Sequence, residues 1–83
     1  MKKQQEWPLM IFVKAHGVRQ AEVARIMGVS RQAVNKILTN GSVKKKSIGI
    51  YQAIAHVAKM SLDDVVKEVF NIDNEIKIRK GQN

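Results

Sequence analysis

The fold is decided by residues 20–39, QAEVARIMGVSRQAVNKILT, which have the pattern of two short helices joined by a tight turn. Gly28 stands where one apolar run ends and the next begins, and a steep turn between helices favours glycine because its φ angle is unrestricted. The pattern predicts helices over residues 20–27 and 31–39, with Ser30 capping the second. Ala24 is small enough to let the two helices approach closely. The residues predicted to face inward are Val23, Met27, Val29, Val34 and Ile37.

The predicted outward face of the second helix is polar. It carries Arg31, Gln32, Asn35 and Lys36, and side chains of these types hydrogen-bond to base edges and phosphates. Ala33 lies on the same side, where it either contacts a thymine methyl group or leaves room for its neighbours. The pattern therefore favours a helix that reads DNA.

Several residues of this stretch also keep a family's order and spacing: Gln20, Ala24, Gly28, Val29, Val34 and Ile37. In these positions the chain resembles the phage Cro and repressor family of helix-turn-helix regulators, the xenobiotic-response-element type. A weaker similarity continues through Asn40-Gly41 and residues 60–66. The resemblance implies an all-α, compact five-helix domain like the DNA-binding domain of lambda repressor, with the helix after Gly28 in the major groove.

The resemblance also implies a set of DNA contacts. Arg31 and Gln32 are expected at base edges, Gln20 at a phosphate, and the loop after the second helix along the sugar-phosphate backbone. The expected DNA-binding residues are Gln20, Ser30, Arg31, Gln32, Ala33, Asn35, Lys36, Asn40, Lys44, Lys45, Lys46 and Ser47.

The charge of the chain is concentrated in the part that holds this motif. The net charge is +8 over 83 residues. Residues 1–60 contain eleven Lys and Arg against two acids, a net +9, whereas residues 61–83 contain four against five, a net −1. This asymmetry is the electrostatic pattern of a surface that meets phosphates.

Several other kinds of site are expected to be absent. The chain has no Cys and only two His, which leaves no disulfide framework, thiolate nucleophile or matched zinc ligands. Neither a catalytic carboxylate pair nor a glycine-rich phosphate loop is evident, so no enzyme activity and no cofactor are expected. The apolar run over residues 8–13 is too short to span a membrane, and a cytoplasmic, nucleoid-associated protein is expected.

Periodicity predicts three further helices and a distinct C-terminal tail. The first helix starts at Trp7-Pro8 and ends at Gly17, with an apolar face that includes Phe12 and His16. A fourth helix is predicted over residues 47–59, and a fifth over 61–70 with Ser61 as its cap. Residues 75–79, EIKIR, alternate apolar with charged, the period of a half-buried strand. The predicted division is a DNA-binding domain over residues 1–70 and a tail over 71–83, either a short dimerisation strand or disordered.

A homodimer is expected because one helix-turn-helix reads only a few base pairs, and two half-sites roughly 34 Å apart supply useful specificity. The near-neutral C-terminal part is the predicted place for two copies to pair, since the +9 part repels its copy. The predicted dimerisation residues are Leu62, Val66, Phe70, Ile76 and Ile78.

The sequence therefore favours a sequence-specific transcriptional regulator, a small phage or mobile-element repressor that binds operator DNA, an inverted repeat, as a homodimer. Two alternatives remain open at this point. One is an antitoxin-type regulator whose C-terminal part orders on a protein partner. The other is a recombination-accessory protein that binds DNA with the same residues.

Overall fold

The computed structural model describes residues 7–39 and 46–81, and within these ranges the chain forms five helices and no strand. The helices pack around one apolar core, with α1 against α3 and α5, α2 against α3 and α4, and α4 against α5. The all-α, five-helix expectation is therefore confirmed. The helices are α1 Pro8–Ala15, α2 Gln20–Met27, α3 Arg31–Leu38, α4 Ile48–Ala58 and α5 Leu62–Gly81.

The core is made of side chains that every helix contributes. Phe12 of α1, Val23 of α2, Val34 of α3, Ile54 of α4 and Val69 of α5 are each at most 1% exposed. Burying a side chain of this size stabilises a fold by roughly 1.5–3 kcal/mol. The shared core fixes α2 and α3 relative to each other and leaves one side of α3 in solvent.

Three helices end in the same way, at a residue with a left-handed backbone. The residue is Gly17 after α1, Gly28 after α2 and Lys59 after α4, with φ of 65°, 72° and 60°. In each case the next N–H reaches back five residues, as from Met60 to the Ala55 carbonyl at 3.0 Å. This is the Schellman arrangement, which satisfies carbonyls at the helix end. At position 59 a lysine adopts this left-handed conformation, which is energetically unfavourable for a residue with a Cβ atom.

The strand predicted over residues 75–79 is wrong, because α5 continues as a helix to Gly81. Ile76 follows Val69 by seven residues, two helical turns, and its side chain is only 5% exposed. Lys77 also forms an i, i+4 ion pair with Asp73 at 3.2 Å. A strand needs a neighbouring strand for its backbone hydrogen bonds, whereas a helix satisfies them internally. α5 therefore runs through residue 70 without interruption.

Two other side chains differ from their predicted placement. Val29 was expected inside but is 41% exposed, because the turn after Gly28 carries it away from the core. The spacing of α1 predicts that His16 lies on its apolar face, yet the side chain is exposed. Its ring stacks on Phe12 with centroids 4.2 Å apart, and its Nε2 lies 2.7 Å from Glu68 Oε2. His16 therefore joins α1 to α5 at the edge of the core.

Candidate nucleic-acid interface

The turn between α2 and α3 is built by Gly28 and Ser30. Gly28 has φ +72° and ψ +31°, and the Val29 N–H donates a hydrogen bond to the Ala24 carbonyl at 3.0 Å. The Ser30 hydroxyl then accepts a hydrogen bond from the Ala33 N–H at 3.1 Å, which begins α3. The predicted turn glycine and the predicted cap are both confirmed.

Helix α3 is divided into an apolar side and a polar side. Val34 and Leu38 are fully buried, and Ile37 is half-buried. Ala33 is half-buried at the edge between the two sides. The exposed side contains no acidic residue and consists of Arg31, Gln32, Asn35 and Lys36.

An open recess of about 870 Å³ lies between α3 and the connection from α1 to α2. The exposed side of α3 forms one wall, the start of α2 forms another, and Val13 and Val18 also line it. Its lining does not include Ser30, Ala33, Lys46 or Ser47. The recess brings together five of the predicted DNA-binding residues: Gln20, Arg31, Gln32, Asn35 and Lys36.

Gln20 is held in this recess from two sides. Its Oε1 accepts a hydrogen bond from Asn35 Nδ2 at 3.3 Å, and its Nε2 lies 3.7 Å from the sulfur of Met10. The side chain thus bridges α1 and α3 from the first position of α2. Because its rotamer is already restricted, ordering it against a ligand costs little additional entropy.

The N-terminus of α2 faces the same recess without a side-chain cap. Arg19 occupies the cap position, and its side chain makes no cap hydrogen bond, unlike the hydroxyl of Ser30 at the start of α3. Gln20 and Ala21, whose N–H groups lie in the first turn, line the recess. Uncapped N–H groups at a helix N-terminus favour an anion such as a phosphate.

Two further cations line the recess, Lys14 and Arg19, and neither is among the predicted DNA-binding residues. With Arg31 and Lys36 they make four cations, and no carboxylate lines the recess. Lys14 is in the last turn of α1, far along the chain from α3, so only the packing of α1 reveals its place. Arg19 could have been found from the sequence, because it immediately precedes Gln20.

The predicted backbone contacts after α3 are only partly within the described structure. Asn40, Lys44 and Lys45 lie outside the described residues. Lys46 is half-buried, and this burial lowers the pKa of its ammonium group. Ser47 is exposed at the cap position of α4, and its hydroxyl makes no cap hydrogen bond.

Comparison with known protein families shows to which family this chain belongs. The model of a family described as helix-turn-helix, of the Cro and repressor type, matches residues 9–65, more than half of the chain. The chain belongs to this helix-turn-helix family. No curated protein and no solved structure matches it. The family comprises DNA-binding regulators, and this helix-turn-helix protein is accordingly a DNA-binding regulator.

The predicted dimerisation residues of this helix-turn-helix protein all lie on α5. Three of them, Leu62, Val66 and Phe70, are half-buried and pack against the protomer's own core. Ile76 is buried within the protomer, while Ile78 is 61% exposed. Most of this set therefore contributes to the fold of a single copy.

Within residues 7–39 and 46–81 of the helix-turn-helix protein, no group of three or more His, Cys, Asp or Glu side chains is placed to hold a metal ion. No helix in the same ranges combines the length and the apolar character that crossing a membrane requires. α5, the longest, carries charged residues along its whole length.

Proposed function

We propose that the protein is a small repressor of the Cro and repressor type that binds an operator, an inverted repeat, as a homodimer. The observation that carries this proposal is the recess beside α3. It combines polar side chains for reading bases with four cations and an uncapped helix N-terminus for holding phosphates. A repressor needs no catalysis, because occupying the operator is enough to block transcription.

In this proposal α3 enters the major groove with its N-terminal residues at the base edges. Arg31 pairs with guanine and Gln32 with adenine, each through two hydrogen bonds worth about 1–3 kcal/mol of discrimination. Both side chains are exposed and lie at the start of α3, where family members meet the bases. Asn35 and Lys36 contact bases or the adjacent backbone one turn further along.

One strand of the DNA backbone lies along the recess. The Gln20 amide and the first N–H groups of α2 bind a phosphate, and Lys14 and Arg19 contact the neighbouring phosphates. A second backbone segment meets the start of α4 through Lys46 and Ser47. The proposal extends to Asn40, Lys44 and Lys45, which precede that helix in the sequence.

The size of the domain supports a dimer whose copies touch on DNA. Its principal extents are 40 × 29 × 22 Å. Half-sites one helical turn apart place two recognition helices roughly 34 Å apart. Two domains of this size on such half-sites are close enough for direct contact.

The alternative of an antitoxin-type regulator gains no support from α5. That alternative expects residues 71–83 to order only on a protein partner. The helix already continues to Gly81, and Ile76 is buried within the single copy.

The proposal is tested by selecting bound sequences from a random duplex library at near-physiological salt. We expect an enriched inverted repeat, and we expect Gln32→Ala to relax selection at one base pair in each half-site. Retention of DNA without an enriched motif would contradict the proposal. An unchanged base preference in Gln32→Ala would contradict the placement of α3.

The phosphate contacts are tested by the salt dependence of binding to the selected site. Each lost contact should reduce the slope of log K against log salt by roughly 0.9, so Lys14→Gln and Arg19→Gln should each flatten it. Lys67→Gln is the matched control, because Lys67 is exposed on α5 and carries the same charge. Equal slopes for all three variants would remove Lys14 and Arg19 from the interface.

A further inference from the structure

Two hydrogen bonds in series connect α1, α2 and α3 through the side chains of Met10, Gln20 and Asn35. Gln20 Nε2 donates to the sulfur of Met10 across 3.7 Å, and Gln20 Oε1 accepts from Asn35 Nδ2 across 3.3 Å. Gln20 is ten positions from Met10 and fifteen from Asn35 along the chain. The three side chains meet because α1 and α2 both pack against α3.

Met10 sets the direction of this series of hydrogen bonds. A thioether sulfur accepts a hydrogen bond but has no hydrogen to donate. The end of the Gln20 amide that meets the sulfur is therefore its NH₂ group, and the Gln20 carbonyl oxygen faces Asn35. Asn35 meets that oxygen with its own NH₂ group, so its carbonyl oxygen Oδ1 lies on the far side of the amide from Gln20.

The Asn35 amide keeps one donor and one acceptor for a ligand. It has two N–H hydrogens and an oxygen, and Gln20 occupies one of the hydrogens. Donation through the hydrogen remote from Oδ1 keeps the two amide oxygens apart and leaves Oδ1 beside the second hydrogen. The side chain is exposed and lines the recess beside α3. Asn35 follows Arg31 by four residues and Gln32 by three, so it lies on the side of α3 that both occupy.

We propose that Asn35 reads an adenine and that Gln20 is the positioning residue that gives it this preference, an inference that rests on the placement of α3 in the proposed function. In the major groove adenine presents the acceptor N7 beside the donor N6, and an asparagine amide pairs with both at once. Guanine presents two acceptors there, whereas cytosine N4 is a donor and thymine O4 an acceptor without the complementary partner. Adenine is therefore the base that matches the free edge of the Asn35 amide.

Gln20 matters because an unrestrained amide discriminates poorly between bases. The terminal torsion of asparagine is broad and roughly two-fold, so half a turn exchanges the amide oxygen and nitrogen at little cost. A freely turning Asn35 donates to thymine or guanine as readily as it accepts from cytosine, whereas the hydrogen bond to Gln20 favours the orientation that fits adenine. Gln20 also keeps one N–H hydrogen for a phosphate, since Met10 takes only one of the two. It thereby connects binding of the DNA backbone to the reading of a base.

The reading of adenine is tested by selecting bound sequences from a random duplex library with the unchanged full chain and with Asn35→Ala. We expect the unchanged chain to prefer adenine by about tenfold or more at one base pair of each half-site. Asn35→Ala should lose this preference, at a pair other than the one that Gln32→Ala relaxes. Unchanged selection by Asn35→Ala, or a change confined to the pair that Gln32 reads, would overturn the proposal.

Two substitutions of Gln20 separate positioning from phosphate binding. Gln20→Glu still accepts a hydrogen bond from Asn35 but has no hydrogen for a phosphate, so it should keep the adenine preference while binding all sequences more weakly. Gln20→Ala loses both contacts, and its adenine preference should fall about threefold or more. Gln52→Ala is the matched control, because Gln52 is exposed on α4, and it should change neither property. An adenine preference that both Gln20 variants keep, or that both lose, would overturn the role of Gln20.

The hydrogen bond between Asn35 and Gln20 can also be measured without DNA, by NMR of the ¹⁵N-labelled full chain. The side-chain NH₂ signals of Asn35 should move in Gln20→Ala and stay in place in Gln52→Ala. Unchanged Asn35 signals in Gln20→Ala would overturn the proposal whatever DNA the protein selects.

Failure of this inference is distinguishable from failure of the proposed function. An enriched inverted repeat whose selection is the same in Asn35→Ala would remove the adenine contact and leave the repressor intact. Retention of DNA by the unchanged chain without any enriched motif would remove the repressor, and the reading of adenine with it.

Discussion

Glycine at position 59 should make the domain about 1 kcal/mol more stable than alanine at the same position. Lys59 follows α4 with φ 60° and ψ 43°. Its N–H donates to the His56 carbonyl at 3.3 Å, and the Met60 N–H donates to the Ala55 carbonyl at 3.0 Å. These hydrogen bonds hold the backbone in the left-handed region, where any residue with a Cβ atom is strained.

The magnitude follows from two opposing effects. The left-handed conformation costs an L-residue roughly 1–2 kcal/mol, and glycine avoids this cost. Glycine also makes the unfolded chain more flexible, which offsets the gain by about 0.4–1 kcal/mol. The difference is about 1 kcal/mol, which corresponds to about 4–8 °C in Tm for a domain of this length.

The measurement is thermal and urea unfolding of Lys59→Gly and Lys59→Ala side by side. Both variants lose the lysine charge near the end of α4, an interaction with the helix dipole worth about 0.3–1 kcal/mol. Their difference therefore isolates the backbone. Equal stability of the two variants, or a more stable alanine variant, would refute the claim that strain at position 59 is relieved by glycine.

Three further outcomes are expected. Gly28→Ala should cost about 1 kcal/mol in unfolding free energy from backbone strain alone, because an added Cβ meets nothing within 4 Å; a loss above about 3 kcal/mol in urea unfolding would indicate a clash instead. Ser30→Ala should lower the free energy of unfolding by about 1 kcal/mol, because the helix cap is lost. Ser30→Asp should keep the stability but weaken DNA binding in an anisotropy titration, because it adds a negative charge beside phosphates. Equal DNA affinity of the two variants would place Ser30 away from DNA. Burial, and then the charge of Asp73, raise the pKa of the Tyr51 phenol, so the folded state holds this proton more tightly than the unfolded chain. The contribution of this protonated phenol to stability is complete below about pH 10 and is lost as the pH rises above that value. In urea titrations from pH 9 to 11, the free energy of unfolding should therefore fall less steeply for Tyr51→Phe than for the unchanged chain.

The helix-turn-helix was predictable because its determinants are local. The left-handed backbone at Gly28, the cap at Ser30 and the apolar spacing around Val34 each depend on residues within one or two helical turns. The polar side of α3 follows from the same periodicity, since fixing Val34 inside places Gln32 and Lys36 outside. The family could be recognised from this window for the same reason.

The C-terminal part was not predictable in this way. The sequence EIKIR at residues 75–79 fits a strand in its alternation and a helix in the two-turn spacing of Ile76 from Val69. Alternation over five residues cannot distinguish the two. The choice depends on what Ile76 packs against, and in the fold it is buried while α5 lies against α1 and α4.

The sequence by itself determined the five-helix class, the turn at Gly28 and the cationic character of residues 1–60, because periodicity, capping and composition act over short distances. Only the tertiary structure decided which cations gather beside α3. Lys14 and Arg31 are seventeen positions apart, and they line one recess because α1 packs against α3. It likewise decided that the exposed Ile26 lines a recess between α2 and α4, while Leu62, Val66 and Phe70 of α5 pack against the protein's own core. The physical reason is that the packing of the helices determines which residues share a surface, and packing brings together residues that are far apart along the chain.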